Sequence, residues 1–311
     1  MSKEIQIGIA LGSGGARGIT HIGVLKAIEE KGIKLHYISG ASIGALIGSA
    51  YSLGIPLSEI EDIALQTDWK TMAKIFQPSF SLHSLVNTNY LSEFLSTWFG
   101  NKTFNDLIIP FSAVASDIHS GKLYVFEKGD LITAIRASIS IPVIFSPVII
   151  GKHILVDGGL MNPTPVDIVR KKKVDKIIAV NLRRLSGIGI QKNKVMKIEN
   201  FNEEIKGLSL NEKIQYFLKH PLNYWNTNGK QKNPNPKFWK VLYQMYLIAQ
   251  TQISDLTMQS AKPDVIIEPD TSNFKATDFN KAKDLIEIGY SSAMLALENF
   301  QIATISNLPN H

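Results

Sequence analysis

The sequence predicts an α/β fold in three layers, with helices on both sides of a largely parallel central sheet. Short apolar runs that suit buried strands alternate with segments of helical periodicity, and this alternation is typical of such folds. The first part of the chain shows it most clearly, as strand, helix, strand and helix in succession. With 311 residues, 44% of them hydrophobic and 19% charged, the chain can build a large globular core.

The N-terminal elements follow from apolar spacing and turn residues. The run 5–11 is rich in β-branched residues and predicts a buried strand that enters a Gly-rich turn. Apolar residues recur at helical spacing over 16–31, which predicts a helix. Residues 35–38 predict a second strand, and the turn at 40–44 leads into a helix that ends near Leu53.

The rest of the chain predicts five more strands and six more helices. The strands are expected at 111–115, 122–126, 153–156, 176–181 and 264–267. The helices are expected at 57–76, 90–99, 130–137, 165–170, 238–260 and 278–299. Between them lies an Asn- and Lys-rich stretch with loop composition, so we predict a single domain over 1–311 with a basic insertion at about 185–240.

The net positive charge of the chain comes from that insertion. The window 190–240 holds ten Lys and four Glu, so it accounts for the whole net charge of +6. A nucleic-acid-binding fold spreads its basic residues over the reading face of its main domain, so we expect no nucleic-acid partner. Aromatic residues such as Tyr224, Trp225 and Trp239 interleave with the Lys, which is typical of peripheral contact with an anionic membrane. The alternative is a solvated insertion whose aromatic rings pack on the domain.

Cysteine content and the apolar segments bound the cellular context. The chain has no Cys, which excludes disulfides, thiolate metal sites and a cysteine nucleophile. The N-terminus lacks the apolar length of a secretory signal. The uncharged stretch 35–58 contains four Gly and a Pro, so it predicts strand, turn and helix rather than a membrane span. We therefore expect a cytoplasmic protein, with peripheral membrane contact through 190–240 as an open alternative.

The sharpest motif is Gly40-Ala41-Ser42-Ile43-Gly44, between a predicted strand and a predicted helix. A strand-to-helix elbow holds its serine in a strained backbone conformation with the hydroxyl projecting outward. The residues two before and two after approach neighbouring backbone so closely that Gly is favoured there. Ser42 is therefore a candidate nucleophile, although this short pattern also arises by chance.

A second glycine-rich segment, Gly12-Ser13-Gly14-Gly15-Ala16-Arg17-Gly18, also joins a strand to a helix. A phosphate-binding Walker loop would need a Lys after Gly18, and Ile19 stands there. A dinucleotide fingerprint would need its third Gly one place earlier and an acidic residue after the second strand. Two interpretations remain: an oxyanion hole formed by the N–H groups of Gly14 and Gly15, or a simple tight turn.

A serine nucleophile requires a base. In a hydrolase of the Ser, acid, His order, the His follows the last strand, where the sequence offers only the terminal His311. His220 lies in the basic insertion, so an ordinary triad is disfavoured. Val156-Asp157-Gly158-Gly159 instead places a carboxylate at the end of a predicted strand. Asp157 is the candidate base, with a turn-forming Asp-Gly pair as the alternative.

Together these three segments resemble the patatin-like phospholipase family, and most closely its small bacterial members, which are similar to the catalytic domain of neuropathy-target-esterase-type lysophospholipases. The stretch 14–18 looks like the family's oxyanion loop, 40–44 like its elbow and 157–159 like its D-G-G/A motif. The likeness covers about 5–182 and, more weakly, 238–300. Ser13 replaces the first Gly of the usual three, and 185–236 matches no family pattern.

The resemblance implies a Ser-Asp dyad with a glycine-rich oxyanion loop. Ser42 would attack an ester carbonyl, Asp157 would accept its proton, and the amides of Gly14 and Gly15 would bind the oxyanion. Supporting positions in the three motifs would be Gly12, Arg17, Gly18, Gly40, Gly44, Gly158 and Gly159. Arg17 would anchor the loop, meet phosphate or form an ion pair.

The substrate implied by the resemblance is a phospholipid or lysophospholipid that releases a fatty acid, and neither a metal nor an organic cofactor is implied. Two other functions remain open. One is a histidine-dependent α/β-hydrolase that uses His220. The other is a non-catalytic module whose Gly-rich loop binds a phosphate-bearing ligand.

Overall fold

The computed structural model describes residues 4–67, 88–142, 144–182, 238–298 and 300. Its strands are β1 (Ile7–Leu11), β2 (Leu35–Ala41), β3 (Phe111–Asp117), β4 (Lys122–Phe126), β5 (Val148–Ile150), β6 (His153–Asp157), β7 (Lys176–Val180) and β8 (Val265–Ile267). Its α-helices are α1 (Thr20–Glu30), α2 (Ile43–Ser52), α3 (Leu57–Gln66), α4 (Thr88–Phe99), α5 (Leu131–Ser138), α6 (Val166–Arg170), α7 (Phe238–Ala261) and α8 (Ala282–Ala296). Short 3₁₀ turns occupy Gly15–Ile19, Phe104–Asp106, Gly158–Leu160 and Phe279–Lys281.

The strands form one mixed sheet with the order β5-β6-β3-β2-β1-β7-β8, and β4 pairs with β3. The five strands from β3 to β8 in that order pair in parallel, whereas β4, β6 and β5 add antiparallel pairings. The central sheet is therefore mostly parallel, as the sequence predicts.

Apolar side chains cover both faces of the sheet. In β1, Ile7, Ile9 and Leu11 pack in the large core beneath α1, α2 and α8, while Ala10 packs in a second cluster with residues such as Met258 of α7. This alternation follows from the two-residue period of a strand buried on both sides. It confirms the three-layer arrangement.

The predicted elements occur with shifted ends. The strand expected at 35–38 continues to Ala41, because Gly40 still pairs with Leu11 on one side and Ala113 on the other. The prediction missed β5, whose three residues are too short to show periodicity. The last helix begins at Ala282 rather than 278, because Phe279–Lys281 forms a 3₁₀ turn.

Part of the sequence prediction lies outside the described residues. The helix expected at 57–76 ends earlier, at Gln66, because Thr67 leaves the helical conformation with ψ 83°, and 68–76 fall outside the described residues. The insertion at about 185–240 is described only from Phe238 onward, so the single-domain interpretation stays a prediction.

The chain divides into two compact units. The first comprises Met1–Gly187 together with Tyr246–His311, and the second comprises Ile188–Met245. No helix in the described ranges has the length and apolar character needed to cross a membrane.

Asp117, the last residue of β3, links β3 to β6 through hydrogen bonds. Its carboxylate accepts hydrogen bonds from His153 Nδ1 (2.8 Å) and Ser120 Oγ (2.6 Å), and from the N–H groups of His119 and Ile154. The bonds from His153 and Ser120 hold the pKa of Asp117 well below its usual range. Because β6 pairs with β3 at Asp117, these bonds help to fix the register of β6.

Two glycines allow α1 and α8 to pack in close contact. A Cβ on Gly23 would lie 1.9 Å from Ile286 O, and one on Gly289 would lie 2.0 Å from Thr20 O. Thr20 begins α1 directly after the 3₁₀ turn of the Gly-rich segment. The helix crossing therefore supports the base of that segment.

We expect Gly289→Ala to lower the free energy of unfolding by about 1–3 kcal/mol, because the added methyl group overpacks the crossing. Helix propensity alone would act in the opposite direction, by about 1 kcal/mol. Urea unfolding measures the difference. Ser291→Ala, at an exposed position of the same helix, is the control and should stay within about 0.5 kcal/mol of the parent. Equal stability of Gly289→Ala and the parent would contradict the close packing.

Candidate active site

Ser42 occupies the turn between β2 and α2 with φ 55° and ψ −122°. A non-Gly residue with positive φ is strained by about 1–3 kcal/mol. The flanking glycines make the turn feasible. A Cβ on Gly40 would lie 2.4 Å from Gly44 O, and one on Gly44 would lie 2.2 Å from Leu11 O. The motif thus forms the strand-turn-helix elbow that the spacing predicts.

Hydrogen bonds hold this strained residue in place. Its N–H donates to Ser138 Oγ at 2.9 Å, and its carbonyl accepts from the N–H groups of Ala45 and Leu46. Ser138 is fully buried and Ser42 is 6% exposed. The last residue of α5 therefore positions the backbone of the candidate nucleophile.

The Gly-rich segment lies against the ends of β1 and β7. Gly12 N–H donates to Val180 O, Ser13 N–H to Pro163 O and Ala16 N–H to Ala276 O. Within the described ranges, no acceptor is found for the N–H groups of Gly14 and Gly15 between them. Gly15 has φ +60°, and a Cβ there would lie 2.6 Å from Ala276 O. Two adjacent backbone donors thus belong to residues that carry no side chain of their own.

Two contacts anchor this segment. A Cβ on Gly18 would lie 2.0 Å from Ile43 Cγ2, so the segment packs directly on the residue that follows Ser42. Arg17 Nε donates to Phe274 O at 2.9 Å. Of the three roles considered for Arg17, the structure shows an anchoring contact.

His21, on the first turn of α1, supports the segment from below. Its ring is fully buried, and Nε2 lies 2.7 Å from Gly12 O. Burial lowers the pKa of His21 to about 4, so the ring is neutral near pH 7. A neutral ring that faces a carbonyl through Nε2 must carry its proton there, and it therefore donates to Gly12 O.

Asp157 is the last residue of β6 and is fully buried. Its Oδ1 accepts hydrogen bonds from Gly159 N–H at 2.7 Å and from Tyr246 Oη at 2.9 Å. Its own N–H donates to Ser140 O, and its carbonyl accepts from Ser116 Oγ. Both backbone and carboxylate are thus held.

The register of β3 brings Ser42 and Asp157 to the same place. Ala41, just before Ser42, pairs with Val114, and Asp157 pairs with the next residue, Ala115. β4 pairs with both Val114 and Ala115 and occupies the other edge of β3. Consequently β2 and β6 share one edge, and their carboxyl ends meet at positions that differ by one residue rise, about 3.3 Å along β3.

The two glycines after Asp157 complete this junction. A Cβ on Gly158 would lie 2.1 Å from Val114 O, and one on Gly159 would lie 2.2 Å from Gln250 Nε2 and 2.9 Å from Ser13 Oγ. The turn after β6 therefore touches β3, the Gly-rich segment and α7 at once. The three sequence motifs converge at one end of the sheet.

A polar stripe on α7 was not predicted from the sequence. Tyr246 bonds to Asp157, Gln250 Nε2 donates to Tyr246 Oη at 2.5 Å, and Ser254 Oγ bonds to Asn181 and Thr164. These three residues recur every four positions, so they share one face of the helix. That spacing was the available signal, but it is weak in a helix with several other Gln, Ser and Thr residues.

Three of the four described histidines bond through their rings to groups other than Ser42, and the fourth, His119, lies in the turn after β3. Besides His21, His36 Nδ1 accepts from Ile7 N–H and His153 is paired with Asp117. His220 and His311 lie outside the described residues. Across the described ranges, no three His, Asp or Glu side chains form a group that could hold a metal ion.

An α/β sheet with a positive-φ serine in a strand-turn-helix elbow is the architecture of a hydrolase class in which that serine is exposed for attack. A sequence model described as patatin-like phospholipase matches residues 9–170, just over half of the chain. The chain belongs to the patatin-like phospholipase family. Membership in this family supports lipid acyl hydrolase activity.

Individual proteins show the same likeness. An uncharacterized NTE family protein of Mycobacterium tuberculosis is 27% identical over an alignment 338 residues long. The alignment covers 97% of this chain and 94% of that protein. Patatin-like phospholipase domain-containing protein 6 of Homo sapiens is 27% identical over 291 residues, which cover 91% of this chain and 20% of that protein. This chain thus spans about a fifth of the human relative. The crystal structure of VipD from Legionella pneumophila has a TM-score of 0.48 at 13% identity, covering 95% of this chain and 67% of that chain.

Backbone strain at Ser42 predicts an unusual order of stabilities. We expect the free energy of unfolding of Ser42→Gly to exceed that of Ser42→Ala by about 1 kcal/mol, because Gly adopts positive φ without strain. Urea unfolding of the two variants measures the difference, and the comparison cancels the loss of the hydroxyl. The ordinary order, with Ala more stable than Gly, would contradict a strained elbow.

The buried His21 predicts a loss of stability in acid. The unfolded chain takes up a proton near pH 6.5, whereas folded His21 does so near pH 4. The folded state therefore loses about 3 kcal/mol as the pH falls from 6.5 to 4, and it keeps this stability above pH 6.5.

His21→Gln is the matched variant, because its amide can still donate to Gly12 O but does not titrate. Urea unfolding at pH 7, 5.5 and 4.5 should show a smaller decline for the variant than for the parent. Parallel declines would refute a buried neutral His21.

Proposed function

We propose that the protein is a serine acyl-ester hydrolase in which Ser42 is the nucleophile and Asp157 its base. The observation that carries the proposal is the meeting of two strand ends on β3. The strained elbow of Ser42 and the buried carboxylate of Asp157 occupy neighbouring positions on one strand edge. Strained backbone and buried carboxylates are both features that cluster at catalytic sites.

The reaction follows in two balanced halves. Ser42 Oγ attacks the carbonyl carbon of the ester while Asp157 takes the hydroxyl proton. The tetrahedral intermediate collapses, the bond to the alcohol breaks, and Asp157 returns the proton to the leaving oxygen. Water then attacks the acyl-enzyme, gives its proton to Asp157, and the fatty acid leaves as the proton returns to Ser42.

The Gly14 and Gly15 amides supply the oxyanion hole in this proposal. Three features support the assignment: the two donors are adjacent, they lack acceptors within the described residues, and Gly18 packs their segment onto the elbow through Ile43. Preorganised donors act most strongly where the charge develops in the transition state. The hydrogen bond from His21 to Gly12 O keeps the segment fixed.

The substrate class rests on family membership. A phospholipid or lysophospholipid ester suits a patatin-like phospholipase, and attack on its acyl carbonyl releases a fatty acid. We retain peripheral membrane contact through 190–240 as a prediction, since all but its last three residues lie outside the described ranges. The absence of cofactor, metal and nucleic acid from the function likewise stays a prediction.

Fatty-acid release from a panel of phospholipids and lysophospholipids tests the dyad. We expect Ser42→Ala and Asp157→Asn each to reduce kcat/KM by at least about a thousandfold, because nucleophile and base act as a unit. Labelling by a fluorophosphonate probe should disappear in Ser42→Ala.

Ser49→Ala, a buried serine of α2, and Asp284→Asn, an exposed carboxylate of α8, are the matched controls and should retain activity. Full activity of either dyad variant would refute the mechanism. Inactivation by His220→Ala with Asp157→Asn still active would favour the histidine-dependent hydrolase. A parent protein that resists the probe yet binds nucleotide would favour the phosphate-binding module.

A further inference from the structure

We propose that Tyr246 is a positioning residue for Asp157, and that Gln250 holds Tyr246 in that role. The inference rests on the proposed function, because it concerns the base of that reaction. Neither residue belongs to the three glycine motifs, and both come from α7, about ninety residues further along the chain. The observation is the pair of hydrogen bonds that links Gln250, Tyr246 and Asp157.

The hydrogen bonds have a defined direction. An ionised carboxylate only accepts, so the Tyr246 hydroxyl donates its single proton to Asp157 Oδ1. The same oxygen can then only accept from Gln250, whose Nε2 lies 2.5 Å away. Gln250 is fully buried, so its amide is confined. Donation from the amide also polarises the hydroxyl and strengthens its bond to the carboxylate.

These bonds select which carboxylate oxygen does the chemistry. Gly159 N–H and Tyr246 Oη both donate to Oδ1. Oδ2 is therefore the oxygen that we assign to the Ser42 proton. The backbone donor is set by the turn after β6, but the second donor depends on a side chain and can be removed by mutation.

Tyr246 also stabilises the charged form of the base. Asp157 is fully buried, and a buried carboxylate remains ionised only when donors replace lost water. Several titratable or charged side chains on the surrounding elements have partners of their own. These pairs are Asp117 with His153, Arg136 with Ser92 Oγ and Ser146 O, Arg17 with Phe274 O and His21 with Gly12 O. Removal of the Tyr246 hydroxyl therefore acts on Asp157 itself.

The test is the pH dependence of kcat/KM on a soluble p-nitrophenyl acyl ester. In Tyr246→Phe we expect the acidic limb, where the base becomes protonated, to move to higher pH by about one unit. Activity below the acidic limb of the parent should fall about tenfold more than activity on the plateau above it. Gln250→Leu should shift the limb in the same direction by less, because Tyr246 keeps its hydroxyl but loses its orientation.

Tyr290→Phe is the matched control, because its hydroxyl bonds to Glu30 on the other side of the core. Its limb should coincide with that of the parent. Thermal unfolding of all variants establishes that each is folded at the assay temperature. A purely structural role for Tyr246 would lower activity equally at every pH.

An unshifted acidic limb in a folded Tyr246→Phe would overturn the inference while leaving the dyad intact. Failure of the proposed function has a different signature, since Ser42→Ala would then hydrolyse the same ester at the parent rate. A limb shift in Tyr246→Phe together with an inactive Ser42→Ala is the result that supports both.

Discussion

The site depends on one strand edge that serves two partners. β3 pairs with β2 up to Val114 and with β6 from Ala115 onward, on the same side, because β4 covers the other side. Two strands that run toward each other along one edge must both leave the sheet at the point where they meet. β2 leaves through the strained turn at Ser42, and β6 leaves through the 3₁₀ turn after Asp157.

This crowding explains why the site is surrounded by glycine. At Gly40, Gly44 and Gly158 a Cβ would lie within 2.4 Å of backbone atoms of a neighbouring element. Such contacts have no flexible side chain that could move aside. The glycines are therefore consequences of strand ends packed at close contact, and the same packing buries Asp157 completely.

The parts that could be predicted from the sequence are those with a local physical signature. Short apolar runs identified the buried strands, and G-x-S-x-G and D-G-G located Ser42 and Asp157 at strand ends. The pairing of these ends on β3 could not be read from the sequence, because Ala41 and Val114 are 73 residues apart and Ala115 and Asp157 are 42 residues apart. Tyr246 was missed for the same reason. Its partner is 89 residues away, and a Tyr beside the apolar residues of a long helix resembles ordinary core.

The proposed two-residue site also places a different demand on its surroundings than a triad does. In a Ser-His-Asp triad the carboxylate orients the histidine, and the histidine alone exchanges the proton. When the carboxylate is itself the base, no third catalytic group remains to orient it. Rotation about its side-chain bonds would then move the accepting oxygen away from the proton. The orienting groups must then be hydrogen-bond donors, because a carboxylate only accepts. Gly159 supplies one donor from the turn, and Tyr246 supplies the other from α7. Helix α7 is thus as much a part of the site's geometry as the motif that carries Asp157.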